Sequence, residues 1–243
     1  MFFISKKFFV YLFKIALILI IFICITDILK TFKNYNEIKE TYDTISAITN
    51  INKNNLKIDS EKYHKLKDIN PDYIFWLYIP NSNINYPVVK SKNNEDYLYK
   101  NFKNEKNIGG TIFLDSRNTL DDKNLILHGH NLKDNSMFGT LKYFLDENYI
   151  KKNKDIFILF ENKIVVYEVF SSFIIDGKNF KYKHNFKNNT EFNNYIKYLT
   201  ERSSIKFTEN KNSDSIITLS TCTNRKKNER IIVSARKKTI INM

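Results

Sequence analysis

The sequence has few cysteines, few glycines and prolines, and no motif of a nucleic-acid-binding domain. Its two cysteines are Cys24 and Cys222. Cys24 lies in an apolar N-terminal run, so the pair is not expected to form a structural disulfide and Cys222 is expected to be a free thiol. The 5 glycines and 3 prolines accompany an abundance of Asn, Lys and Ile. We take this bias as a property of the coding sequence that carries little functional information.

The charge of the chain is strongly positive. Its 39 Lys and Arg residues exceed its 26 Asp and Glu residues by 13, and such an excess predicts an anionic neighbour. Without a helix-turn-helix, a zinc-finger spacing or an RNA-binding aromatic motif, nucleic acid is not the expected partner. Anionic lipid headgroups or cell-wall polymers suit the charge better. A basic surface without any partner is the alternative.

An apolar run extends from Phe8 to Ile25 and is interrupted only by Lys14. This run is long enough to span a bilayer, which takes ~20 residues. Lys6 and Lys7 precede it, which favours a cytoplasmic N-terminus and an exported C-terminal body. No small-x-small cleavage site follows the run, so a retained signal anchor is favoured over a cleaved signal peptide. A buried core helix is the third interpretation.

A helical pattern follows the apolar run. From Leu29 to about Asn55, apolar residues recur near helical spacing, which predicts an amphipathic juxtamembrane helix with a polar hinge over 50–55. A packed N-terminal helix of the next domain is the alternative. The expected division of the chain is a cytoplasmic stub with a transmembrane anchor (1–28), a juxtamembrane helix with a linker (29–65) and a folded body (66–243).

Beyond Tyr73 the pattern changes to short apolar strands separated by polar turns. Many short strands with few helices predict a mainly β protein, a closed or nearly closed barrel with peripheral helices. The predicted strands are Ile74–Ile79, Tyr86–Val89, Thr111–Leu114, Asn124–His130, Asp155–Phe160, Lys163–Ile175, Ser215–Thr221 and Arg230–Arg236.

Two helices are predicted between these strands. The first covers Ser136–Leu145 and is capped by Asp134 or Asn135, and the second covers Thr190–Arg202. The Asn- and Lys-rich stretch Lys178–Asn189 is expected to be a solvated excursion.

Cys222 and Arg230 lie at the adjoining ends of the last two predicted strands. A thiol at a strand end is partly exposed yet held by a rigid element, as a nucleophile must be. A nearby guanidinium is charged at any pH and can stabilise a thiolate or an oxyanion. The alternative is an inert, buried cysteine beside a solvated basic turn.

Four histidines are candidate partners for the thiol. His64 and His184 are expected to be ordinary surface residues. His128 and His130 end one strand, and their spacing puts both side chains on one face. Two imidazoles and one thiol also make a zinc site conceivable. Since no fourth ligand is evident from the sequence, we expect no metal and no cofactor.

Several segments together resemble one protein family. The run Thr218–Cys222, followed by Arg230 and an Ile-Ile-Val strand, resembles the active-site signature of sortases, which are membrane-anchored cysteine transpeptidases of Gram-positive bacteria. Gly129–Asn131, with Ser136, Met137, Phe138 and Leu141 after it, resembles the histidine segment of class B sortases. Further matches to that class follow the same order: Ile69–Asp72 before Trp76, Tyr86–Val88, Asn94 to Leu98, and Gly110–Asp115. The resemblance covers about Leu66 to Ala235.

The resemblance implies an eight-stranded β-barrel and an acyl-transfer reaction. The enzyme would cleave a C-terminal sorting motif of a secreted protein after its threonine, with Cys222 forming a thioester. His130 would be the acid and base, and Arg230 would hold the substrate carbonyl. The acyl group would pass to an amine of a cell-wall precursor or a pilin. The expected substrate-binding residues are Ser220, Thr221, Asn94 and Leu98.

The sequence departs from the class at one position. The residue two before the catalytic histidine is commonly aromatic in class B sortases, whereas here it is His128. The Gly-His-Asn context selects His130 as the acting imidazole. The basic loop 224–227 is expected to be solvated rather than to contact substrate.

Three alternative functions remain at this stage. A cysteine hydrolase on a similar scaffold would pass the acyl group to water. A membrane-tethered binding module would need no thiol, and a zinc enzyme would need a bound metal.

Overall fold

The computed structural model of the protein describes residues 6–207 and 213–242. These residues belong to two compact units, of which the first ends at Glu40 and the second begins at Thr41. Helix α1 spans Lys6–Thr49, and both predicted N-terminal helices fall within this element. Within the described part of the chain, one helix is long and apolar enough to cross a membrane, with a mean hydropathy of 2.9 over its apolar window and none of that window buried. A helix that is apolar on all sides and unburied fits a membrane anchor.

The second unit contains a closed eight-stranded barrel. Around the barrel the strands follow the order β1-β2-β3-β4-β7-β8-β6-β5. The β2–β3 and β4–β7 pairs are parallel, and the other pairs are antiparallel. This architecture confirms the predicted closed barrel. The strands are β1 (Tyr73–Tyr78), β2 (Asn85–Lys90), β3 (Ile112–Leu114), β4 (Asn124–His128), β5 (Asp155–Phe160), β6 (Lys163–Asp176), β7 (Ile216–Cys222) and β8 (Glu229–Asn242).

Every strand of the barrel carries buried apolar side chains. Phe75, Val88, Ile126, Leu219 and Val233 are all fully buried. Burial of each such side chain contributes about 1.5–3 kcal/mol, so the barrel needs no disulfide to be stable. The strand ends that carry the polar candidate residues are therefore presented by a rigid core.

Helices pack on the outside of the barrel. The predicted helix over Thr190–Arg202 is confirmed as α4, which spans Asn189–Arg202 and begins where the Asn188 side chain accepts a hydrogen bond from the Glu191 amide at 2.9 Å. Three further helices among the described residues were not predicted. The α-helices α2 (Ser60–Ile69) and α3 (Glu147–Lys152) and the 3₁₀ helix Asp96–Leu98 each bury a single side chain and so leave little periodic signal.

The predicted α-helix over Ser136–Leu145 is wrong in its start and in its type. The structure has a 3₁₀ helix over Gly139–Leu145. Asp134 caps only a local turn, in which its carboxylate accepts from the backbone amide two residues later at 3.0 Å. Asn135 and Met137 have φ values of 66° and 51°, in the left-handed region that a right-handed helix cannot contain.

The stretch Lys178–Asn189 is not simply a solvated excursion. Phe180 is buried, and Tyr182 and Phe186 pack against the apolar cluster between α4 and strand β6. Because most residues in this stretch are polar, its average composition did not predict that these three aromatic residues are packed. This connection therefore brings Tyr182 to the ends of strands β4 and β7, beside His128 and Ser220.

Candidate active site

The register of strands β7 and β8 brings Cys222 and Arg230 together. They are directly opposite each other at the end of the antiparallel pair, so their side chains lie on the same face. The Arg230 Nη1 atom donates to Cys222 Sγ at 2.7 Å. The thiol is half-buried. A guanidinium in contact with the sulfur is placed to stabilise negative charge on it or on a neighbouring oxygen.

His130 reaches the same region from strand β4. That strand runs parallel to β7, with His128 paired to Ser220, and it ends at His128, two residues earlier than predicted. A Cβ at Gly129 would lie 2.9 Å from the Phe138 ring, so only glycine lets the backbone pass here without displacing a side chain.

The orientation of the His130 ring is set by a backbone carbonyl. Its Nε2 atom is 2.7 Å from the Leu98 oxygen. A carbonyl can only accept, so Nε2 carries a hydrogen. In the neutral ring the basic nitrogen is then Nδ1, which is the atom that can take up or release a proton.

Three hydrogen bonds tie the histidine corner to the end of strand β7. The Thr221 hydroxyl donates to the Gly129 carbonyl at 2.7 Å, and the Asn131 amide donates to the Cys222 carbonyl at 2.7 Å. Asn224 then donates to the Asn131 carbonyl at 2.6 Å. Residues 224–227 are exposed, as expected, and the Asn224 amide in addition helps to hold the corner.

All seven predicted site residues line one open cleft of about 550 Å³. The cleft lies at the strand ends that carry the thiol and the guanidinium. Other residues that line it were not predicted from the sequence, notably Tyr99, Arg117, Lys178 and Tyr182. The predicted residues in its wall are Cys222, His130, Arg230, Ser220, Thr221, Asn94 and Leu98.

His128 lines the cleft in a different way from His130. Its Nε2 atom is 3.0 Å from Asp115 Oδ2. Arg117 holds the same carboxylate through Nε and Nη2 at 2.9 and 3.0 Å. Burial alone would raise the pKa of Asp115, but hydrogen bonds from His128 and Arg117 outweigh it and hold the pKa far below its ordinary value. The carboxylate is therefore charged and engaged on two sides.

Asn94 and Leu98 contribute to the cleft through their polar contacts with the protein. The Asn94 side chain donates to Asp115 Oδ2 at 3.1 Å and accepts from the Ser116 amide at 2.7 Å. Leu98 supplies the carbonyl that holds His130. The sequence could place both residues at the site, but it could not reveal these internal partners.

Ser220 is buried and shares a hydrogen bond of 2.6 Å with the Tyr182 hydroxyl. The Tyr182 ring stands edge-on to His128, with the ring centroids 5.4 Å apart. Burial raises the pKa of Tyr182 more than the hydrogen bond with Ser220 lowers it, so the phenol stays neutral. The sequence feature that could have indicated Tyr182 is the recurrence of aromatic residues, Phe180, Tyr182 and Phe186, within an otherwise polar stretch.

The remaining two histidines lie elsewhere. His64 is exposed, as expected. His184 is half-buried and 3.0 Å from Asp122 Oδ2, so it is more than an ordinary surface residue. Across residues 6–207 and 213–242, no group of three or more His, Cys, Asp or Glu side chains is arranged to hold a metal ion.

The chain is similar to known proteins of one family. The Sortase domain family model matches residues 77–238. The chain is 34% identical over 202 residues to Sortase B of Listeria monocytogenes, which covers 80% of this chain and 79% of that protein. A mutant form of Clostridium perfringens sortase B superposes with a TM-score of 0.77 at 34% identity, covering 82% of this chain and 97% of the other. The Staphylococcus aureus sortase B–substrate complex superposes with a TM-score of 0.72 at 27% identity, covering 90% of this chain and 99% of the other.

A closed barrel that presents a thiol, a guanidinium and an imidazole in one cleft has the architecture of a cysteine acyl-transfer enzyme. The chain belongs to the sortase family and, within it, to class B. It is a cysteine transpeptidase of the cell-wall sorting type, and sortases are membrane-associated.

Proposed function

We propose that Cys222 is the nucleophile, His130 the acid and base, and Arg230 the oxyanion-stabilising residue of this transpeptidase. The observation that carries the proposal is the 2.7 Å contact from Arg230 Nη1 to Cys222 Sγ in a cleft that His130 also lines. In such a cleft one guanidinium can serve both the sulfur and the oxygen on which charge develops.

The proposed reaction has two acyl-transfer steps. In the first, the Cys222 thiolate, paired with a protonated His130, attacks the carbonyl carbon of the motif's threonine, the peptide C–N bond breaks, and the leaving amine takes the proton from His130. A thioester and a neutral His130 remain. In the second step, an incoming amine gives its proton to His130, attacks the thioester and releases the Cys222 thiolate. Arg230 hydrogen-bonds the carbonyl oxygen during both steps.

Between the two imidazoles in the cleft, the contacts favour His130 over His128. His128 donates to the charged Asp115, which is buried and also bound by Arg117. A proton on His128 is thus part of a structural ion pair. His130 donates only to a neutral carbonyl through Nε2, which leaves Nδ1 as its basic atom.

The proposed substrate is a secreted protein with a C-terminal sorting motif. The support for a peptide in this cleft is the likeness to the Staphylococcus aureus sortase B–substrate complex. Ser220, Thr221, Asn94 and Leu98 would shape the cleft for it, mainly through the internal hydrogen bonds described above. The acceptor would be an amine of a cell-wall precursor or a pilin.

The proposed location is the cytoplasmic membrane, with the N-terminus inside and the catalytic domain outside the cell. Lys6 and Lys7 precede the apolar part of α1, and positive charge is retained on the cytoplasmic side of a span. The basic surface would then face an anionic envelope.

The test uses the full chain in detergent micelles with a panel of quenched sorting-motif peptides, with and without an added amine, analysed by mass spectrometry. A transpeptidase gives amide product in preference to free acid when the amine is present. Free acid alone would identify the cysteine hydrolase instead. The Cys222→Ala variant is expected to give no thioester, and full activity of that variant would exclude the proposal.

A further inference from the structure

Tyr42, near the end of helix α1, is a buried residue whose hydroxyl binds the loop before strand β3. Its oxygen is 2.6 Å from the Gly110 carbonyl, which can only accept, so Tyr42 donates. The same oxygen lies 3.1 Å from Thr111 Oγ1. Burial raises the pKa of Tyr42, so the phenol keeps its proton at neutral pH and remains a donor.

The backbone that Tyr42 holds is packed directly against Leu98. A Cβ on Gly110, which has a φ of +62°, would lie 2.5 Å from the Tyr97 oxygen and 2.7 Å from the Leu98 oxygen. The next amide, of Thr111, donates to the Tyr97 carbonyl at 2.9 Å. The position of the 110–111 backbone therefore fixes the position of the Leu98 carbonyl, since protein interiors are close-packed and transmit displacements.

That carbonyl is the one that accepts from His130 Nε2 at 2.7 Å. Its position decides both the orientation of the imidazole and the nitrogen that carries the hydrogen. Two backbone segments, at Gly110 and at Leu98, thus separate the Tyr42 hydroxyl from His130, the proposed acid and base.

A second route runs from the ring of Tyr42. The ring stands edge-on to Tyr86 with the centroids 5.2 Å apart, and the Tyr86 hydroxyl accepts from the Met137 amide at 3.2 Å. The following residue, Phe138, donates its amide to the His130 carbonyl at 2.8 Å. One side chain therefore braces both of the loops that flank His130.

We infer that Tyr42 is a positioning residue for His130, acting through the Gly110–Leu98 contact on one side and through Tyr86 on the other. The inference rests on the proposed role of His130. Tyr42 itself is outside the cleft wall and touches no reacting group. Its effect should fall on the rate of the chemical steps rather than on substrate affinity, because only the imidazole is displaced.

The test replaces Tyr42 by Phe, which removes the hydroxyl and keeps the ring on Tyr86. The matched control is Tyr73→Phe. Tyr73 is also fully buried, and its hydroxyl has no hydrogen-bond partner among the described residues. Both variants are made in the full chain in micelles, with ¹⁵N-labelled histidine, whose four imidazoles can be followed by NMR.

The Tyr42→Phe variant is expected to shift the His130 ring-nitrogen signals and to leave those of the exposed His64 unchanged. With the quenched peptide that the unmodified chain cleaves fastest, kcat should fall about fivefold, the loss expected for one hydrogen bond, and KM should change less than twofold. The pH at which kcat is half-maximal should move with the His130 signals. Tyr73→Phe should change none of these quantities.

Unchanged His130 signals and an unchanged kcat in Tyr42→Phe would overturn the inference, as would an equal effect of Tyr73→Phe. A lower melting temperature with kcat and NMR signals intact would show a structural role only, and would also overturn it. Tyr86→Phe tests the second route independently and is expected to shift the same His130 signals. Full activity of His130→Ala would refute the proposed function, whatever the NMR result. Inactive His130→Ala with unperturbed Tyr42→Phe would refute the inference alone.

Discussion

His128 and His130 are two residues apart, line the same cleft, and donate their Nε2 hydrogens to acceptors of different charge. His128 donates to the Asp115 carboxylate at 3.0 Å, and His130 donates to the neutral Leu98 carbonyl at 2.7 Å. The first contact is part of a buried ion-pair network, whereas the second fixes a tautomer. Substitution should therefore affect different properties of the enzyme at the two positions.

His130→Ala is expected to reduce kcat by about 10²–10⁴-fold, the usual contribution of a general acid and base. His128→Ala should keep most of the activity and lower the melting temperature, since it leaves the buried Asp115 with fewer partners. Steady-state kinetics and thermal unfolding of both variants give the comparison. An inactive His128→Ala beside an active His130→Ala would reverse the assignment.

Arg230→Lys is expected to reduce kcat/KM by about 10²–10³-fold, as the loss of an oxyanion donor does. An ammonium is a point charge that cannot reach the sulfur and a carbonyl oxygen with the planar fork of a guanidinium. Arg225→Lys is the matched control, because Arg225 lies in the loop that leads to Arg230 and is exposed. Equal activity of the two variants would contradict the role proposed for Arg230.

Asp115→Asn is expected to lower the free energy of unfolding at pH 7 by about 2 kcal/mol, since hydrogen bonds to a charged group contribute roughly 1.5–3 kcal/mol. The pKa of Asp115 is lower in the folded than in the unfolded protein. Its stabilising effect is therefore complete above the unfolded value near ~3.9 and is lost as the pH falls from there toward the folded value.

Denaturant unfolding of the wild type and of Asp115→Asn at pH 7 and pH 3 measures this effect. The difference between the two proteins should be smaller at pH 3. Asp121→Asn, an exposed residue in the same connection, should show no difference at either pH. If the difference in free energy of unfolding between wild type and Asp115→Asn were larger at pH 3 than at pH 7, the carboxylate would not be stabilised by its partners.

Gly129→Ala is expected to destabilise the protein by about 1–3 kcal/mol, the range for forcing an atom into a packed site. The added Cβ would be 2.9 Å from the Phe138 ring and 3.2 Å from Ile112. Because the next residue is His130, kcat should fall as well. Adding Phe138→Leu should recover part of both losses, and strictly additive effects in the double variant would show that the two side chains do not meet.

The barrel could be predicted from the sequence because its strands are short apolar runs bounded by polar turns. Strand β4 shows where the local pattern stops being informative. The alternation continues to His130, but the strand ends at His128, and Phe138, nine residues after Gly129, fills the space beside that glycine. Such a tertiary contact leaves no local trace in the pattern. The left-handed conformations of Asn135 and Met137 also leave no trace in the local pattern, and because of them the chain forms a turn where a helix was predicted.

The site residues named from the sequence all lie in one cleft, and their catalytic roles remain predictions. What the sequence could not supply was their partners. Tyr182 lies in a stretch whose average composition is polar, and its hydrogen bond to Ser220 depends on how that stretch packs against α4. Asp115 was the last residue of a matching segment, yet its contact with His128 appears only when strands β3 and β4 are adjacent.

The parallel pairing of strands β4 and β7 has a consequence for the order in which activity is acquired. The hydrogen bond from Thr221 to Gly129 joins residues 92 positions apart, and Cys222 meets Arg230 only after strand β8 has paired. A contact over 92 positions forms late, because the entropy of closing the intervening chain must be overcome first. A partly folded chain therefore carries its thiol without the groups proposed to activate it. Catalytic competence begins only when the last strand completes the barrel.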